Sequence, residues 1–229
     1  MPAERRQSGL SPLEKEVDLN ALAAALLVAS IAIAVADWVA VALANRPVEY
    51  ATKVGVMLGL IAFAVALHPA SSAQRILFVI ALGLGLVSDV FLMLPRDLFL
   101  PGLVAALVEH VFYIAGFRVR DFDLVWFAGA ALVAVLSVIA FLPPILRALR
   151  RSHDSLILPV IVYVAIFAFM VASAGGTRSL VAAAGALLFF YSDAILAWNR
   201  FVRPIRYGRV VNLVPYHLGQ AVLVLSLLA

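Results

Sequence analysis

The chain has 229 residues, 65% hydrophobic and 13% charged, with a formal net charge of +4 and a mean hydropathy of +1.09. Soluble domains are nearer half apolar and a quarter charged, so this composition excludes a secreted domain, a disordered chain and a cytosolic enzyme, and makes lipid the expected solvent. The chain has no cysteine for disulfide or thiol chemistry, and its arginines are scattered between apolar runs as membrane topology requires, so no nucleic-acid partner is expected.

In chain order, residues 1–20 read as a polar N-terminal tail, and the apolar run after it is too long for a signal peptide. Eight apolar runs come next, near 21–44, 51–68, 74–94, 100–117, 122–142, 156–174, 179–199 and 209–228. Each has the length at which a helix rising 1.5 Å per residue crosses a hydrocarbon layer of about 30 Å. Transmembrane strands would alternate over segments of about ten residues, and backbone groups in lipid must be satisfied internally. The expected fold is therefore an all-α, polytopic bundle of about eight transmembrane helices forming one domain, 21–229, joined by short turns such as Asn45-Arg46-Pro47 and Gly175-Gly176-Thr177. Eight spans put both termini on one side, A. Side B then carries nine loop arginines, among them Arg46, Arg96, Arg200 and Arg209, against seven cations on side A including the tail. The positive-inside rule makes side B cytoplasmic. The expected location is the bacterial inner membrane.

Ionisable groups inside the runs carry the functional signal, since each costs about 2.5–3.5 kcal/mol at a helix centre. They are Asp37, Lys53, Asp89, Glu109, His110, Asp193 and His217. Asp89 and Asp193 each follow a serine, Ser88 and Ser192, and lie at one depth, about 10 Å inside side B, on parallel spans 3 and 7. The matching Ser-Asp pairs suggest a weak internal repeat. Span 8 brings Tyr216 and Gln220 to this layer on one face, with His217 turned about 100° away. On span 4, His110, Tyr113 and Phe117 form one stripe. Asp37 and Lys53 are near enough to the boundary to snorkel or to pair structurally. Glu109 reads equally well as a helix–helix hydrogen-bonding group, and His217 as a packing histidine. No HExxH or comparable ligand spacing occurs, so neither a metal nor a cofactor is expected.

Three blocks then resemble the YhhN-type lysoplasmalogenase family, integral membrane hydrolases of the vinyl-ether bond of lysoplasmalogens. They are Ser88-Asp89-Val90-Phe91-Leu92 with the His110-x-x-Tyr113 stripe after it, Gly185 to Asp193 through Phe189-Phe190-Tyr191-Ser192, and Tyr216-His217-Leu218-Gly219-Gln220. Ser88 stands where the family usually has glycine, His217 where it has a second tyrosine, and Val54 follows Lys53 where the family tends to have proline. The resemblance implies a lysophospholipid substrate in the membrane. It also implies Asp89 and Asp193 as catalytic residues, supported by His110, Tyr113, Tyr216, Gln220, Lys53, Ser88, Ser192 and His217. A vinyl ether hydrolyses when an acid protonates its β-carbon and water traps the oxocarbenium ion, and two neighbouring carboxyls in low dielectric suit both steps. The alternative is a transporter or lipid-binding protein whose acids bind protons or a headgroup.

Overall fold

A computed structural model describes residues 12–229, with side chains from residue 21 onward. Eight helices follow one another: α1 (Pro12–Ala42), α2 (Arg46–Ala66), α3 (Ser72–Met93), α4 (Phe99–Phe117), α5 (Leu124–Ser152), α6 (Ile157–Gly176), α7 (Leu180–Ala197) and α8 (Gly208–Leu225). All eight are long and apolar enough to cross a membrane, and no strand occurs among the described residues. Of the expected polar tail, residues 1–11 lie outside the described residues, while 12–20 form the opening turns of α1.

Helix starts follow local chemistry. Side-chain oxygens of Asn45, Ser71, Asp123 and Ser179 accept hydrogen bonds from the first backbone N–H groups of α2, α3, α5 and α7, groups that have no carbonyl partner within the helix. Span 5 differs from expectation at its end. Instead of stopping at 142, α5 runs through Pro143 and Pro144 to Ser152. Its 29 residues make about 43 Å, longer than the hydrocarbon layer. A proline pair removes N–H donors but does not forbid helical φ, so the helix continues, with Arg147, Arg150 and Arg151 exposed on its last turns.

Sequential helices pack as antiparallel pairs, α1 with α2, α3 with α4, α5 with α6 and α7 with α8. Further contacts join α2 to α3, α4 to α6, α6 to α7 and α8 to α1. Seven helices therefore close a ring from which α5 is left out. It lies outside, against α6 and the turn after α7. Accordingly α5 is the least buried span and α8 the most. In the ring, α7 and α8 come close where Gly185 and Gly219 face one another. A Cβ added at Gly185 would lie 2.9 Å from the backbone nitrogen of Leu223, and one at Gly219 would lie 2.8 Å from that of Phe189. Small residues let the two backbones touch.

Candidate active site

Both Ser-Asp pairs divide their labour in the same way. Ser88 donates to the Gly102 carbonyl across α3–α4, at 2.9 Å. Ser192 donates to the Asn212 carbonyl across α7–α8, at 3.1 Å, and Asn212 Nδ2 returns bonds of 2.8 Å to Ser192. Each serine thus ties its helix to the next, and the adjacent aspartate, about 100° further round, turns into the ring.

There Asp89 and Asp193 line one polar cavity of about 130 Å³. Both oxygens of Asp89 are engaged. Lys53 Nζ of α2 lies 2.9 Å from Oδ1, and the Tyr216 hydroxyl donates to Oδ2 at 2.8 Å. Asp193 accepts from the hydroxyl of Tyr163 on α6 through Oδ2 alone. Glu109, one of the groups read equally as a helix–helix contact, lines the same cavity. Its Oε1 accepts from Gln220 Nε2 at 2.5 Å, and the Gln220 carbonyl in turn accepts from Tyr113 at 2.5 Å. Arg209 stands on the cavity wall near side B and is paired with buried Glu49, which Arg46 also reaches.

A second cavity of about 80 Å³ adjoins the first and shares Ser88, Ala106 and Asp193 with it. Its walls are apolar. Phe99 and Leu103 of α4, Val160 of α6 and Phe190 of α7 face Val138, Phe141 and Ile145 of the outlying α5. The chain resumes after α7 through a π-helical turn, Trp198–Val202. This turn sets Phe201 against the apolar cavity and Asn199 against the polar one, and such wide turns often mark functional sites in helices.

Of the ten residues expected at the site, five line neither cavity: Tyr113, Gln220 and Ser192 act through the bonds above, and two histidines stand further back. His110 is wholly buried, stacked on Phe167 with centroids 3.9 Å apart and flanked by Tyr163 and Phe189. Neither ring nitrogen has a partner among the described residues. His217 faces α1 and accepts from Trp38 Nε1 at 3.0 Å, in keeping with its turn away from Tyr216. Asp37 is also outside the cavity; it accepts from Thr52 at 2.7 Å, and Lys53 pairs with Asp89 instead of with it.

The YhhN family model matches residues 48–227, which carry every one of these cavity groups. The chain belongs to the YhhN family. Relatives include the lysoplasmalogenase TMEM86B of Mus musculus, 30% identical over 196 residues, covering 84% of this chain and 76% of that protein. The lysoplasmalogenase TMEM86A of Bos taurus is 31% identical over 172 residues, covering 69% and 66% of the two chains. TMEM86B of Homo sapiens is 30% identical over 145 residues, 62% of this chain and 59% of that protein. No solved structure matches.

Around this YhhN-family site, sequence reading passed over Tyr163, Asn199 and Asn212, and saw Arg209 only as a loop charge. Tyr163 sits in an uninterrupted apolar run with no polar neighbour to mark it. Asn199 and Asn212 come seven and twenty positions after Ser192, across a turn whose path the sequence does not reveal. Among the described residues, no three His, Cys, Asp or Glu side chains are grouped to hold a metal ion.

Proposed function

We propose that this protein hydrolyses the vinyl-ether bond of a lysoplasmalogen, giving a fatty aldehyde and a glycerophospho-alcohol. The observation that carries the reading is the pair of carboxyls, Asp89 and Asp193, each engaged by a tyrosine hydroxyl, on one polar cavity that meets an apolar one. The names of its relatives supply the bond type.

In this reading the alkenyl chain lies in the apolar cavity and the ether beside Asp193, the acid that belongs to both cavities. Asp193 has no cation partner among the described residues and gives its proton to the β-carbon. Positive charge then grows on the ether carbon and oxygen. Asp89, fixed by Lys53 and Tyr216, meets that charge with a preorganised negative one. Water adds to the cation, and the hemiacetal collapses to aldehyde and alcohol, consuming one water overall. Arg209 and Lys53 suit the phosphate of the headgroup near side B. His110 keeps Tyr163 in place, and Ser88 and Ser192 keep the two acids aimed inward. His217, through its bond with Trp38, holds the face of α8 that presents Tyr216. An apolar volume of about 80 Å³ equals only a few water-sized groups, so the chain beyond its first carbons lies among lipid, and chain length matters little to turnover.

The test is aldehyde release by purified protein from alkenyl, ester and amide lysolipids. Aldehyde from the alkenyl lipid alone is expected, falling about 100-fold or more in Asp89→Asn and Asp193→Asn while both variants fold. Full activity in either variant rejects the paired roles, and lipid binding without aldehyde favours a lipid-binding or transport protein. Membrane placement belongs to the same proposal: an inner membrane, side B cytoplasmic. With no native cysteine, single cysteines at Ser71 and Arg203 read sidedness directly through an impermeant maleimide, and labelling of Arg203→Cys from outside would reverse the orientation.

A further inference from the structure

The geometry points to Glu109 as a third catalytic carboxyl, the base for the attacking water. This assignment rests on the vinyl-ether reading above.

Three features build a place for it. Gly85, one turn deeper on α3 than Asp89, leaves room: a Cβ there would lie 2.6 Å from Glu109 Oε1. Gln220 fixes that same oxygen, and Tyr113 fixes Gln220. The other oxygen, Oε2, has no partner among the described residues, yet it is not sealed in protein, since the side chain lines the polar cavity. One oxygen is held and the other is offered to the cavity. Asp193 has the same pattern, with Tyr163 on Oδ2 and Oδ1 left to the cavity. Asp89 differs, because Lys53 and Tyr216 occupy both of its oxygens.

Charge pairing separates the three acids in the same way. Lys53 is paired with Asp89, and Arg209 with Glu49. Asp193 and Glu109 are left on the polar cavity, neither of them in an ion pair among the described residues. Two such carboxyls hold one proton more easily than none, the arrangement that gives one acid and one base. Depth fits the roles. Glu109 is ten residues into α4, about 15 Å, whereas Asp89 is four residues from the end of α3, about 6 Å. The base therefore sits beyond the ether, on the side away from the headgroup, on a polar cavity large enough for water.

The proton balance closes over one turnover. Asp193 gives its proton to the β-carbon. Water forms a C–O bond to the oxocarbenium carbon and yields a proton to Glu109 Oε2. As the bond to the glycerol oxygen breaks, Glu109 protonates that oxygen, and the hemiacetal hydroxyl returns a proton to Asp193. Asp193 ends protonated and Glu109 ionised, as they began.

The experiment compares wild type and Glu109→Gln, purified in detergent, with an alkenyl lysolipid in D₂O. The variant is expected to release aldehyde about 100-fold more slowly. Because Asp193 still protonates carbon but water addition stalls, the oxocarbenium ion returns to vinyl ether, and recovered substrate gains deuterium at the β-carbon. A residue that only shaped the fold would not produce that exchange. Aldehyde release close to the wild-type rate overturns the assignment, as does lost hydrolysis with no exchange in a folded variant. If Glu109→Gln does not fold, Glu109→Asp replaces it: slowed release with exchange supports the assignment and a full rate overturns it. A wild type that makes no aldehyde overturns the vinyl-ether reading and this assignment together, whereas an active wild type with an unimpaired variant overturns this assignment alone.

Discussion

At the scale of single residues, the site is a set of carboxyls told apart by their partners. Lys53 and Asp89 are both buried, with side chains 10% and 6% exposed, so neither charge is well solvated without the other. Lys53→Met is expected to lower stability by about 3–5 kcal/mol by stranding the carboxylate. Adding Asp89→Leu should return much of that loss, read as thermal unfolding in detergent, although aldehyde release stays absent. His110 presents the opposite case, two buried ring nitrogens with no partner among the described residues, inside an aromatic stack. Replacing it with phenylalanine keeps the stacking and removes the unmet polar atoms, so His110→Phe should raise stability by about 1 kcal/mol, and a fall in unfolding temperature would count against that account. These partnerships also mark how far the sequence reaches. Asp89 and Asp193 stood out because lipid should have excluded them. Lys53, 36 positions from Asp89, could not be assigned to it from spacing, and the inward turn of Glu109 depends on how α4 is rotated against α3, which a nearly all-apolar helix leaves undetermined.

At the scale of elements, glycines distinguish contact from mere presence. Gly219 meets the backbone of α7 at distances with no room for a methyl group, while a Cβ placed on Gly83, in the middle of α3, would have nothing within 4 Å. Gly219→Ala is therefore expected to destabilise by about 1–3 kcal/mol as the helices are forced apart, and Gly83→Ala to stabilise by about 0.5–1 kcal/mol through helix propensity. Opposite shifts in unfolding temperature for one chemical change would bear out the difference, and shifts of the same sign would refute it. The number of spans was legible because hydropathy alone sets it. The end of α5 was not, because a proline pair reads as a stop in sequence but costs little where the helix leaves the hydrocarbon.

At the scale of the molecule, a ring of seven helices surrounds the acids and α5 stands outside. Hydropathy counted the helices but carried no information on which neighbours close the ring. On side A, α5 is held firmly. Asp123 accepts from Val125 and Trp126 N–H and pairs with Arg178 at 2.6 Å, while Phe122 fills the space over Gly176. Backbone N–H bonds from Trp126, then Arg178, hold the Asp123 carboxyl below the usual carboxylate range. Its folded value is the lower one, so its stabilisation is present above the unfolded value near 4 and disappears as pH falls through the folded one. Asp123→Ala should thus lower the unfolding temperature at pH 7, with the gap to wild type closing in strongly acidic buffer. An unchanged gap would place the effect elsewhere.

In the proposed reaction, the junction of the two cavities at Asp193 also sets how the products leave. The polar compartment reaches toward side B through Arg209, and the apolar one is walled on one side by the peripheral α5, a helix apolar enough to face lipid. Once the ether breaks, the fragments have no tether and opposite solubilities. One partitions into water and the other into lipid, so neither need pass the other on its way out, and each phase acts as a sink that keeps the hydrolysis from running backwards.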